Sequence, residues 1–437
     1  MNIANINLGG IIFFIVTGIL IFLLDKKYIF IPIVLSVCYI TYGQNIIIGG
    51  FNFYPVRIIF FLSWIRIIIR REFNIPIVNI IDKSVFYWLI SSIILYSILW
   101  GFEYDAIKTK IGLLYDVLMM YGLFRIIINN YSDIEVIFKI TAVLIFPMAL
   151  LMLYERKTGS NLYSYFGGIS AMSEIREGRI RCSGPFRHSI LAGTFGAILI
   201  PLFIALYFSK VSYRNISYMG IISSLIIVYT SSSSGPLMAL LMSIIGFMFW
   251  YMRDKMRTVR WILLGSIIML HIIMKAPVWY TMARVSDLTG GGGWHRSFLI
   301  NQAIVYINEW WLLGTKNTSH WFPYTLAINP DSADIVNQYI ANGVDAGLLT
   351  MILFIFIIVR CFQGLGRAQT IEVPDPLGKR FCIWAIGVSL FAHVVSFFSV
   401  SYFDQINVYW YLLIAIISAI VNIHETGYSN NKFQYAN

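Results

Sequence analysis

Residues 188–208, HSILAGTFGAILIPLFIALYF, decide what kind of protein this is. After His188 the stretch runs for twenty residues without a charged side chain. A helix of that length is about 30 Å long, the thickness of a bilayer's hydrocarbon core. Comparable apolar windows recur near 8–24, 28–48, 51–69, 84–101, 111–129, 134–154, 215–231, 235–252, 259–275, 336–360, 380–401 and 405–423. That makes thirteen windows, or twelve if Gln44 and Asn45 break the second. Of the 437 residues 58% are hydrophobic and only 12% are charged, against about 25% charge in a soluble domain. A soluble enzyme, a disordered chain and a disulfide scaffold are excluded. The expected fold is all-α: one polytopic membrane helical bundle over 1–437, of 12–13 transmembrane helices, with a tail at 424–437.

The charge balance, 32 Lys and Arg against 21 Asp and Glu, gives +11. In a chain like this the excess reads as membrane topology, not as a nucleic-acid partner, because basic residues collect in cytoplasmic loops. The short connections at 25–27, 70–83, 125–133, 210–214, 253–260 and 360–380 carry Lys or Arg; those at 49–50, 231–234 and 402–404 carry none. The basic set is therefore expected inside, with the N-terminus outside. No basic run precedes Leu8 and no small-residue cleavage site follows Leu24, so the first window reads as a mature helix. Four cysteines, Cys38, Cys182, Cys361 and Cys382, fit no metal spacing.

Two long connections then fall on the outer side, 155–187 and 276–335. Loops that long usually function. The first carries Arg156, Lys157, Arg176, Arg179, Arg181 and Arg187 against Glu155, Glu174 and Glu177; the second adds Arg284, Arg296 and Lys316. A guanidinium keeps its charge and presents a planar fork that fits phosphate. Such a cluster beside helix ends suits an anionic lipid headgroup or a lipid-linked diphosphate; the plainer reading is a solvated basic loop. A helix is expected over 294–313, stopped by Gly314. The glycine run 290–293 is a hinge or tight loop, and the serine run 231–234 a polar turn. Within the windows, Arg57, Asp116, Lys275 and Asp404 lie near the outer ends and His393 nearer the middle, while Arg66 and Lys139 are expected to snorkel at the inner face.

The segment Arg181-Cys-Ser-Gly-Pro-Phe-Arg-His-Ser-Ile-Leu-Ala-Gly193 resembles the entry to a middle helix of the bacterial O-antigen ligase and polymerase superfamily. Ser232-Ser-Ser-Gly235 is similar to its serine-rich turn. Arg284 and Arg296 resemble basic residues of its large outer loop, and Trp310-Trp-Leu-Leu-Gly314 the end of that loop's helix. Asn337 to Gly347 is similar to the stretch entering the next helix. The motifs span about 180–350. The resemblance implies a GT-C-like membrane glycosyltransferase in the bacterial inner membrane, its site facing the periplasm. The donor would be an oligosaccharide on undecaprenyl diphosphate. No metal or cofactor is implied, and no Asp-x-Asp pair stands in an outer loop; Asp375 falls on the inner side. Membrane lipids, a chain-length regulator and a flippase are the implied partners. Arg181, Arg187, Arg284 and Arg296 would pair the leaving diphosphate, with Arg57, Arg176, Arg179 and Asn337 as further substrate contacts.

One departure divides the family's branches. Ligases carry a histidine, then Asn, Ser or Gln, with a Gly and a Gly, Thr or Tyr further on. Here Asn337, Gly347 and Thr350 match, but Val336 holds the histidine's place. That favours a polymerase of polysaccharide repeat units over a ligase, although the polymerases' arginine-to-glycine spacing of eleven is twelve here, from Arg181 to Gly193. His320, Asp334 or His295 would have to supply any general base; His188, at the helix entrance within the motif, is a further catalytic candidate whose plainer reading is helix capping or packing. The rival classes are a transporter of lipid-linked glycan, which predicts internal repeats that the sequence does not display, and a non-catalytic scaffold.

Overall fold

The computed structural model describes residues 3–4, 8–48, 50–287, 292–322, 333–370 and 376–434. Asp375 and positions 290 and 291 of the glycine run lie outside the described residues. The chain is overwhelmingly helical. Among the described residues eight helical segments are long and apolar enough to cross a membrane by length and composition, with Leu8–Leu23 a shorter apolar helix. This is the composition of a multi-pass membrane protein.

The order runs β1 (Ile3–Ala4), α1 (Leu8–Leu23), α2 (Phe30–Tyr39), β2 (Asn45–Ile48), β3 (Phe51–Phe53), α3 (Pro55–Ile69), α4 (Ile80–Leu99), α5 (Tyr104–Asp116), α6 (Leu123–Ile127) and α7 (Tyr131–Thr158). It continues with β4 (Glu174–Arg176), β5 (Arg179–Arg181), α8 (Ser189–Ser209), α9 (Arg214–Ser231), α10 (Ser234–Met248), α11 (Met256–Ile273), α12 (Thr281–Asp287), α13 (Gly293–Val305), α14 (Ile307–Trp310), α15 (Gln338–Thr370), α16 (Pro376–Ser396) and α17 (Ile406–Gln434).

Helix α8, the stretch quoted first, is the axis of the bundle. Its apolar window is 89% buried, second to none among the spans. A helix that is apolar all round belongs in a core, and α7, α9, α10 and α16 surround this one. Small residues set the approach: a Cβ on Gly196 would stand 2.8 Å from the Ser224 carbonyl of α9. Helix α11 is the opposite case, with Val259 its one buried residue.

Several expectations change. The window 28–48 holds only the ten-residue α2, about 15 Å long and too short to span. The helix stops because residues 41–44 are tied to the first long loop: Thr41 Oγ1 donates to the Gly167 carbonyl, and a Cβ on Gly43 would lie 1.7 Å from the Gly168 oxygen. The isoleucines after it enter β2, paired antiparallel with β3 through Ile46–Phe53 and Ile48–Phe51, as β-branched residues favour. Window 111–129 is part of one helical run, α5 to α6, joined by a π turn at Val117–Gly122. The helix expected over 294–313 breaks at Tyr306 into α13 and α14. The last helix runs on to Gln434, through the stretch expected as a tail. Arg66 does not snorkel: it is fully buried, donating to the Ile21 carbonyl at 2.6 Å and to both oxygens of Glu72 at 3.1 Å.

The helical run Ser234–Ile273 reverses at its 3-10 stretch, Phe249–Lys255. The segment following α11 returns to where α10 began: Ser297 Oγ donates to the Trp279 carbonyl at 3.0 Å, and Arg296 reaches Ser234 at the head of α10. The first turns of α8, α10 and α13 thus gather at one end of the bundle.

Candidate functional site

The segment 181–188 is fixed almost atom by atom. The Cys182 N–H donates to the Thr230 carbonyl at 3.1 Å. The N–H groups of Ser183 and Gly184 donate to the two oxygens of Glu155, at 2.9 and 3.0 Å. That carboxylate, 1% exposed at the end of α7, also accepts from Ser173 Oγ at 2.9 Å. Gln405 Nε2 donates to the Pro185 carbonyl at 3.0 Å, and Phe186 packs on Phe195 of α8. His188 is the N-cap of α8, its Nδ1 accepting from the Ile190 N–H at 3.2 Å. Burial of this loop pushes the Cys182 thiol up to about 12, so it is an inert thiol.

The serine turn docks against this segment. Ser232 adopts the left-handed conformation, with φ of 45°, and accepts from Arg156 Nη1 at 2.7 Å. The close fit needs Gly193, where a Cβ would stand 2.3 Å from Ser231 Oγ. The β4–β5 hairpin stands over the turn. Arg181 at its end donates to Glu174 at 3.0 and 3.1 Å and to Ser233 Oγ at 3.1 Å.

Between hairpin, turn and α13 lies a small open cleft. Arg176, Arg179, Arg181 and Arg296 line it, with Glu177, Ile190, Gly292 and serines 232–234. Arg176, Arg179 and Arg296 have no carboxylate within ion-pair distance among the described residues. Arg296 reaches only Ser234 Oγ, at 3.4 Å. Burial, then the charges of Arg176 and Arg181, hold its guanidinium below the ordinary arginine range, at about 10, so it remains a cation at neutral pH. The Nε of Arg181 is buried without a hydrogen-bond partner in the described structure. Three helix N-termini add their partial positive charge, from α8 at Ile190, α10 at Ser234 and α13 at Gly292. A cleft so short of negative charge is built to receive an anion.

His188 and Asp334 are outside the lining residues; His188 caps α8 two positions before Ile190, which is one of them. The His188 ring has an exposed edge, yet desolvation on its protein side and then the Arg181 charge lower its proton affinity, against the opposing fields of Glu174 and Asp334. The Asp334 carbonyl faces His295 Nε2 at 3.4 Å, one residue from Arg296.

Other sequence candidates lie elsewhere. Arg187 turns away into a bidentate pair with Asp404, which raises its affinity for its proton. Arg57 is held by Asp116, both contacts at 2.6 Å. Arg284 is exposed on α12, outside the cleft lining. His320 Nε2 lies 3.0 and 3.1 Å from the Glu309 oxygens. Asn337 is buried as the cap of α15, accepting from the Tyr339 and Ile340 N–H groups. Val336 packs on the satellite core around Leu299, Trp310 and Trp321.

Sequence reasoning missed Glu155 as the clamp of the loop and the meeting of three helix starts. Gly314 ends its helix as expected, its N–H donating to the Trp310 carbonyl at 3.0 Å, but its partnership with Gly347 was not foreseen. Both have positive φ, 95° and 82°, and a Cβ on either would stand 2.4 Å from a carbonyl of the other's segment, Val344 or Leu312. The pair docks the outer loop onto a break in α15 at Ala346–Gly347. Beside it Lys110, 4% exposed, is paired with Asp345. Among the described residues no group of three or more His, Cys, Asp or Glu side chains is placed to hold a metal ion. No protein-family model matches the chain, and no curated protein matches it.

Proposed function

We propose that this chain is a GT-C-like glycosyltransferase of the bacterial inner membrane, with a periplasmic-facing site and undecaprenyl-diphosphate-linked oligosaccharide as donor. The observation that carries the reading is the arginine set of the cleft, of which Arg176, Arg179 and Arg296 have no carboxylate partner among the described residues, with residues from the starts of three helices in the same lining. The leaving group of such a donor is a diphosphate. Pairing its charge lowers the barrier to breaking the bond at the anomeric carbon, and a donor placed where charge develops contributes about 10²–10³-fold. Arg181 and Arg296, each held on a rigid element, are the principal groups; Arg176 and Arg179, on the exposed hairpin, assist. Val336, an apolar side chain in the position of the ligase histidine, supports repeat-unit polymerisation over ligation. A flippase and a chain-length regulator are the partners proposed for this activity in the cell.

Purified protein in nanodiscs, supplied with undecaprenyl-diphosphate oligosaccharide, tests the reading. The expected result is a size ladder from donor alone. Transfer only after a lipid or protein acceptor is added makes the protein a ligase. Absence of transfer under both conditions from well-folded protein overturns the proposal and leaves the transporter and scaffold classes.

A further inference from the structure

We infer that His188 is a neutral hydrogen-bond donor to the bound anion, and that Asp334 is the group that takes the acceptor's proton. The inference rests on the transfer reading above and assigns its proton.

The Ile190 N–H, 3.2 Å from His188 Nδ1, can only donate. Nδ1 therefore carries a lone pair, and the proton of the neutral ring sits on Nε2. Protonating Nδ1 would set N–H against N–H and break the cap of α8. The groups around the ring divide: Arg181 and Arg176 oppose a positive charge there, Glu174 and Asp334 favour it. With Nδ1 already used, the ring offers the cleft an N–H and no free lone pair. That suits a diphosphate oxygen and excludes general-base work.

The other two candidate histidines each spend Nε2 on a protein oxygen and keep only Nδ1 as an acceptor. Nε2 of His295 faces the Asp334 carbonyl, and Nε2 of His320 faces both oxygens of Glu309, so both nitrogens act as donors. The Asp334 carboxylate makes no hydrogen bond or ion pair among the described residues and is exposed, and the residue's own carbonyl lies beside His295, next to Arg296. It is the one carboxylate of these four groups, with both oxygens free of a protein partner among the described residues. In the step, the acceptor's hydroxyl oxygen bonds to the anomeric carbon. The bond from that carbon to the diphosphate oxygen breaks, its electron pair leaving on the diphosphate. The hydroxyl proton passes to Asp334 and then to water. His188 Nε2–H donates to a diphosphate oxygen throughout.

Glutamine places an N–H₂ group near the position of Nε2, whereas asparagine reproduces only the Nδ1 acceptor that caps the helix. His188→Gln is expected to keep transfer within about tenfold of the parent, with His188→Asn and His188→Ala falling further. Asp334→Asn is expected to lose about 10²–10⁴-fold in turnover while binding undecaprenyl diphosphate unchanged. If His188→Gln is as inactive as His188→Ala and both lose the acid limb of the pH–rate profile, His188 is the base and the inference fails. Full turnover by Asp334→Asn fails it equally. Nitrogen NMR of histidine-labelled protein, assigned by subtracting the His188→Asn spectrum, reads the tautomer without any activity. An Nε2–H ring is expected, and an Nδ1–H ring overturns the donor role. A parent protein that folds and transfers nothing condemns the glycosyltransferase reading instead, and the NMR result still decides the tautomer.

Discussion

Two sets of arginines stand at the same end of this bundle under opposite electrostatic conditions. In the first, Arg57 meets Asp116 and Arg187 meets Asp404, each guanidinium fork closed on a carboxylate. In the second, Arg176, Arg179 and Arg296 face a shared cleft with no carboxylate partner among the described residues, and Arg181 donates to both Glu174 and Ser233. The first set is complete in itself, joining α3 to α5 and the entry of α8 to that of α17. The second is incomplete until an anion arrives. An unpaired, largely buried cation costs stability, so a fold that retains one has a use for it.

The largest expected effect separates the sets directly. Arg296→Gln should lower glycan transfer about 10²–10³-fold without lowering the melting temperature, because it removes an uncompensated charge. Activity surviving in that variant would erase the distinction. Asp404→Ala should behave the other way. It strands Arg187, and with that side chain 44% exposed the loss is about 1–3 kcal/mol, below the value for a fully buried pair. Combining it with Arg187→Leu should recover part of the loss. An Arg187→Gln variant that folds normally yet transfers nothing would move Arg187 into the catalytic set.

Smaller effects sharpen the boundary. Gly347→Ala should cost about 1–3 kcal/mol, since φ is 82° and the added methyl meets the Leu312 carbonyl; denaturation in detergent measures it. Gly193→Ala should displace the serine turn, at about 1–3 kcal/mol of stability, and weaken binding of undecaprenyl diphosphate about tenfold, or ~1.4 kcal/mol. Raising salt should weaken that binding only slightly further, through the exposed Arg176 and Arg179, because screening acts less on the half-buried Arg296.

The bundle was legible because hydrophobic length is a local property. Residues 189–208 announce a span whatever surrounds them, and the structure makes them the buried axis. The second window misled because 41–44 look no worse for a helix than their neighbours; what ends α2 is backbone from 167–168, over a hundred positions later. Arg66 misled for a related reason, since its long stem can snorkel or fold inward, and Glu72 together with the Ile21 carbonyl drew it in. In the candidate site, arginine content was visible but pairing was not. Arg181 and Arg187 look alike in sequence, six residues apart on one polar segment. The backbone between them, clamped by Glu155 and Gln405, points one into the cleft and the other at Asp404.

Composition and periodicity by themselves determined that the chain folds as helices within a membrane, and that arginines stand in two long connections as well as in the short ones. Which of those charges are spent on the protein and which stay open to a ligand was decided by tertiary structure alone. The reason is physical. Burial of an apolar helix depends on its own surface, whereas the state of a guanidinium depends on whether a carboxylate from a distant segment lies within about 4 Å of it.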